Sequence, residues 1–130
     1  MSSRQEFRVE GLSEPVSHYT DAVRAGDLLF VSGCVSTDEE GNVVGVGDVV
    51  AQAWQVFSII ERILAAAGAS FGDVVKVTVF LTNIDDRPLI NPVRQECFGE
   101  ARPASTLVEV SRLVHPDFLI EVEAVAVIPS

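Results

Sequence analysis

Hydrophobic positions in this chain recur with two different periods, and the switches between them mark out its elements. Val49, Ala53, Val56, Ile60, Ile63 and Ala67 are spaced by threes and fours, which draws one apolar stripe along a helix. Trp54, Phe57 and Leu64 widen the stripe, while Gln52, Gln55, Ser58 and Arg62 fall on the other side. Asp48 is placed to cap the helix, and Gly68 to end it in a left-handed conformation. So wide an apolar face needs a broad partner, and a sheet supplies one. Residues 73–82 alternate with period two, Val75, Val77, Val79 and Leu81 against Lys76, Thr78, Phe80 and Thr82. Following a helix, this strand is expected to pair parallel to an earlier one across a crossover.

The remaining segments read more weakly. Strands are predicted over residues 7–12, 19–24, 28–35, 106–113 and 119–128, the second and third forming a hairpin about Ala25-Gly26-Asp27. Residues 37–47, rich in Asp, Glu and Gly, read as a loop. Asp85-Asp86-Arg87-Pro88 opens a second helix that closes at Gly99, and Pro92 moves its regular part to start at Asn91. The order βββαβαββ predicts one α+β domain over residues 1–130, a six-stranded sheet with both helices on one face. In the last strand Glu121 and Glu123 share the open face, opposite Ile120, Val122, Ala124 and Ala126. That face also carries Phe80, Val125 and Val127, so it is expected to be covered by oligomerisation.

Charge narrows the function. Nine Lys and Arg stand against nineteen Asp and Glu, a formal net charge of -10 over 130 residues. Such a surface repels phosphate backbones and anionic bilayers, so neither nucleic acid nor membrane is an expected partner. No uninterrupted apolar run approaches the roughly 18 residues of a bilayer span, and the first residues are not those of a secretory signal. Cys34 and Cys97 are far apart, and His18 and His115 are isolated. Neither a disulfide framework nor a metal site is expected, and two reduced thiols fit a cytoplasmic protein.

Several stretches, in order, are similar to one family. They are His18-Tyr19-Thr20-Asp21-Ala22-Val23, Leu29-Phe30-Val31-Ser32-Gly33, Ala65-Ala66-Ala67-Gly68, and 73–81 with its Asp-Val-Val-Lys start. Asn91, Pro103-Ala104, Val108-Glu109-Val110 and Ile120-Glu121-Val122-Glu123-Ala124 complete the set. Over nearly its whole length the chain resembles the RidA/YjgF family of reactive-intermediate deaminases, also called L-PSP. The resemblance implies a chorismate-mutase-like fold and a homotrimer with ligand clefts between subunits. It also implies cofactor-free hydrolysis of small enamines and imines, such as 2-aminoacrylate, to a keto acid and ammonia.

Position by position, the resemblance assigns Tyr19 to the cleft, Ser32 to a Ser-Gly pair, Asn91 to the second helix, and Glu121 to the catalytic water. His18 stands beside Tyr19 where the family commonly has Pro, and an imidazole there could exchange protons near neutral pH. Cys34 stands where Gln is common. Ser105 is the larger departure, because deaminases carry an arginine there that grips the substrate carboxylate. A guanidinium offers two charge-assisted bonds and a hydroxyl at most one neutral bond. The loss is expected to weaken carboxylate binding on the order of a hundredfold. Arg102, three residues upstream, could supply the charge if the chain curves into the cleft. The expectation is therefore a hydrolase or deaminase of some other small enamine or imine, with Glu121, Tyr19 and His18 catalytic. Ser32, Asn91, Ser105, Cys34 and Arg102 would bind substrate. The alternative is a small-molecule-binding or holdase-like module without turnover.

Overall fold

The computed structural model describes residues 4–130. Six strands, β1 (Arg4–Phe7), β2 (Ala22–Ala25), β3 (Leu28–Val35), β4 (Val74–Leu81), β5 (Ala104–Glu109) and β6 (Ile120–Val127), form one sheet. Its order is β1-β2-β3-β6-β4-β5, antiparallel except where β5 runs parallel to β4. Two helices, α1 (Val49–Ala66) and α2 (Arg87–Phe98), pack against one another, and α1 lies across β3 and β6.

The core follows the sequence pattern with two instructive exceptions. Val49, Ala53, Val56, Phe57, Ile60, Ile63 and Leu64 are buried against Leu29, Val31, Val77, Val79, Leu81, Ile120, Val122, Ala124 and Ala126. Trp54, expected within the stripe, is 45% exposed. Gln52, expected outside it, is fully buried. The amide of Gln52 explains its place: Nε2 donates to the carbonyls of Gly45 and Asp117, and Oε1 accepts the N–H of Leu119. One polar side chain thereby ties α1 to the two loops that flank it, satisfying backbone groups that would otherwise be stranded. By length and mean hydropathy α1 could cross a bilayer, but it carries Glu61 and Arg62 and lays its apolar face on the sheet.

The caps of α1 are as expected. Asp48 accepts the N–H of Ala51 at 3.0 Å, and Gly68 takes a φ of 79° while Ala69 N–H reaches back to the Leu64 carbonyl. Phe57, Phe71 and Phe98 meet edge to face, with ring centroids 5.3 to 6.3 Å apart, and lock the end of α2 onto α1.

Other boundaries differ for physical reasons. The first strand is Arg4–Phe7 rather than residues 7–12, because the carboxylate of Asp21 captures both Val9 N–H and the Arg8 side chain. The same contact ends β2 at Ala22, leaving Tyr19 in a loop. β4 shares its direction with β3, as a crossover requires, but β6 is inserted between them, and the parallel neighbour is the later β5. Pairing with β4 also sets β5 at Ala104–Glu109 instead of 106–113. α2 begins at Arg87, not Asn91. The N–H missing at Pro92 is tolerated because Pro88, whose carbonyl it would have bonded, is exposed to water.

Candidate functional site

Strand alternation sends successive side chains of β6 to opposite faces, and Glu121 emerges on the face away from the helices. Opposite it, the register of β3 slips between Val31 and Cys34. Ser32 and Gly33 occupy that bulge, and the glycine is there for space. A Cβ on Gly33 would overlap Oε2 of Glu121 and stand 2.9 Å from its Cδ. The carboxylate therefore lies directly against the Gly33 backbone. Burial first, and the neighbouring Glu123 second, hold its carboxyl above the ordinary glutamate value.

Two further groups complete this region. Ser32 donates its hydroxyl to the Thr20 carbonyl at 2.6 Å, and its N–H bonds the Asp21 carbonyl, which fastens the loop before β2 to β3. Tyr19 sits at the end of that loop, half exposed, its hydroxyl accepting the Val16 N–H at 3.4 Å. Tyr19, Ser32, Gly33 and Glu121 line one open cleft of about 340 Å³, walled by Val16, Val35 and Val114. A carboxylate able to take or give a proton near a phenol and the bulged β3 backbone can order a water molecule.

Asn91, Arg94 and Ser105 lie elsewhere. In the β4–β5 register Ser105 pairs with Val77, a core residue, so its side chain is on the helix face of the sheet. β5 is an edge strand, separated from β6 by β4. The hydroxyl of Ser105 accepts from Nη2 of Arg94 at 2.7 Å, and Asn91 stands three residues earlier on α2. Within one protomer these groups cannot meet Glu121. Arg102 is exposed just ahead of β5 and makes no hydrogen bond among the described residues.

Two further expected residues flank the Glu121 region without lining its open cleft. Cys34 is buried on the α1 side, its thiol donating to the Ser32 carbonyl, and burial pushes its pKa far above the ordinary thiol value. The neutral thiol packs there as a small apolar group, and it lines a cavity of about 110 Å³ together with Tyr19, Ser32 and Gly33. His18 is exposed, lies outside the cleft lining and makes no side-chain hydrogen bond among the described residues. Arg94 is the residue that sequence reasoning passed over. Its signal was the spacing of three from Asn91, which puts both on one helix face.

A family model described as Endoribonuclease L-PSP matches residues 11–128. The chain belongs to the L-PSP family, known also as RidA/YjgF. Among RidA/YjgF relatives, the 3-aminoacrylate deaminase RutC of Acinetobacter baylyi is 44% identical over 117 residues, 90% of this chain and 92% of that one. The 2-iminobutanoate/2-iminopropanoate deaminase of Dermatophagoides farinae is 33% identical, covering 98% of this chain and 99% of its own. RidA from an Antarctic Psychrobacter superposes with a TM-score of 0.89 at 33% identity, covering 95% and 99% of the two chains. The six-stranded α+β architecture is thus the RidA fold, and imine and enamine deamination is named among its relatives.

Proposed function

We propose that this chain is a cytoplasmic, cofactor-free deaminase of a small imine or enamine. Its cleft would be completed by a second copy within a homotrimer. The observation that carries the reading is the carboxylate of Glu121, held against Gly33 beside Ser32 and Tyr19 with its proton affinity raised. A raised pKa suits a group that must first accept a proton and then return it. Water adds to the imine carbon as the C=N π pair moves to nitrogen, and Glu121 takes the proton that the water sheds. Protonation of the resulting amine then lets the C–N bond break, releasing ammonia as the C=O of the keto product forms. An enamine first gains a proton at carbon to reach the same imine.

Two features support the assembly. Asn91 and Ser105 can serve the Glu121 cleft only from a neighbouring copy, since they sit on the opposite face and at the sheet edge. The open face exposes Leu28, Phe30, Val108 and Val127, each between 39% and 46%, an apolar patch that a second copy would cover.

The test is Glu121→Gln, assayed by ammonia release from 2-iminobutanoate and from 3-aminoacrylate generated in place. The expected result is a fall in kcat of about 10²-fold or more with ligand affinity retained. A wild-type protein that binds these compounds yet releases no ammonia above the uncatalysed rate would leave the binding-module reading instead.

A further inference from the structure

The three most exposed large apolar side chains among the described residues are Val16, Val114 and Val46, at 76%, 70% and 64%. All three line one open cavity of about 500 Å³, together with Val43 and Phe118. Single valines in water need no explanation, but a group of them around one space does. The space adjoins the Glu121 cleft, since Val16, Tyr19, Val35 and Val114 line both.

The walls of this annex are held from inside the molecule. Three loop segments supply most of them, around residues 13–19, 41–46 and 114–118. Among the described residues two polar side chains are fully buried, Ser36 and Gln52, and both fasten those segments. The Ser36 hydroxyl donates to the Val44 carbonyl at 2.6 Å, and the Val44 N–H returns to the Ser36 carbonyl. Gln52 Nε2 bridges the carbonyls of Gly45 and Asp117, so one amide sets the separation of two walls. His115 is tied down as well: Nδ1 accepts the Asp117 N–H, and the ring meets Phe118 edge to face. Valines kept in water by so fixed a frame stay unfavourably hydrated until hydrocarbon covers them. Glu14 and Asp117 line the same space, which disfavours an anionic chain end there.

We infer that the annex receives a branched aliphatic substituent of the substrate, and that Val46 is a specificity-determining residue. Substrates with such a chain would be preferred over compact ones such as 3-aminoacrylate. The inference rests on the reading that the chemistry takes place at Glu121, because only then does a substituent point from the reacting carbon into the adjoining space.

The test compares 4-methyl-2-oxopentanoate with pyruvate, two stable keto acids with the same head and different chains. Binding to the whole protein is measured by titration calorimetry. The wild type should bind the branched acid about tenfold more tightly, a fraction of what full burial of its three extra carbons would give. Val46→Ser should cut that advantage to about threefold and leave pyruvate unchanged, since Val46 lies outside the lining of the Glu121 cleft. Equal affinity of the wild type for the two acids, or no binding of either, overturns the inference. A second copy filling the annex would give that equality. A Val46→Ser variant that weakens both acids alike, or neither, overturns it too. The two readings fail separately. Normal turnover by Glu121→Gln would remove the proposed mechanism, while the affinity ratio still reports on the annex.

Discussion

The two halves of the candidate site are built to different standards. Around Glu121 the support comes from its own chain: a bulged glycine leaves space, a serine is bonded at 2.6 Å to the preceding loop, and burial tunes the carboxyl. At the α2–β5 edge, one hydrogen bond joins Arg94 to an exposed serine, and nothing lies beyond the edge strand. The difference teaches which half must be accurate on its own. A group that moves protons has to be within hydrogen-bond reach of a reacting atom before substrate arrives, whereas an anchor can tighten when its anion and a neighbouring copy come together.

The largest test of this contrast is Gly33→Ala. The new methyl would collide with the end of the Glu121 side chain, which is flexible and can swing away. Stability should therefore change little, within about 1 kcal/mol, while the carboxylate is displaced from its working position. Activity should fall by about 10²-fold, close to the loss from Glu121→Gln, since a displacement of about 1 Å at a reacting group costs that much. Parallel melting curves and ammonia-release kinetics check it. A large drop in melting temperature would show that Gly33 serves the fold rather than the site.

A smaller effect is expected from pH. Glu121 must be ionised to take a proton from water, so kcat/KM should rise with pH along an acid limb placed above that of an ordinary glutamate. Glu123 contributes to the upward shift, so Glu123→Gln should move that limb to lower pH. Stability must follow the same linkage. A carboxyl whose pKa is raised on folding favours the folded state below its unfolded pKa, and that contribution is lost as pH rises through the folded value. Glu121→Gln should therefore match the wild type below the ordinary glutamate pKa and melt slightly higher at neutral pH. The effect is modest because the carboxyl is only half-buried. Unfolding curves at several pH values decide it, and a gap that closes toward neutral pH contradicts the assignment.

How much of this was legible in the sequence depends on whether a feature is local. The Asp48 cap and the Gly68 stop of α1 are local and stand as read, and so does the stripe apart from Trp54 and Gln52. Alternation along β6 put Glu121 and Glu123 on the open face correctly. Gln52 was misplaced because a single amide with three backbone partners, two of them far along the chain, outweighs the polarity that its position suggests. The bulge at Ser32-Gly33 was not visible, so period-two counting could not show Cys34 turned to the core beside Val31. The placing of β6 between β3 and β4 is likewise a long-range choice, and β4, lying between β6 and the edge strand β5, separates Glu121 from Ser105.

The smallest predicted effect is also the sharpest on the edge half of the site. Ser105→Ala removes a hydroxyl that is exposed on an edge strand and bonded to Arg94 alone among side chains. The backbone ladder to β4 is untouched, so stability should move by less than about 0.5 kcal/mol. The guanidinium keeps its charge and loses only the contact that orients it, a bond open to solvent. Affinity for 2-oxobutanoate, a stable keto acid, should then weaken by only about threefold in titration calorimetry on the whole protein. If calorimetry instead found a loss of tenfold or more, the hydroxyl itself would be holding the ligand. The size of the loss thus separates a hydroxyl that binds the ligand from one that only orients its neighbour.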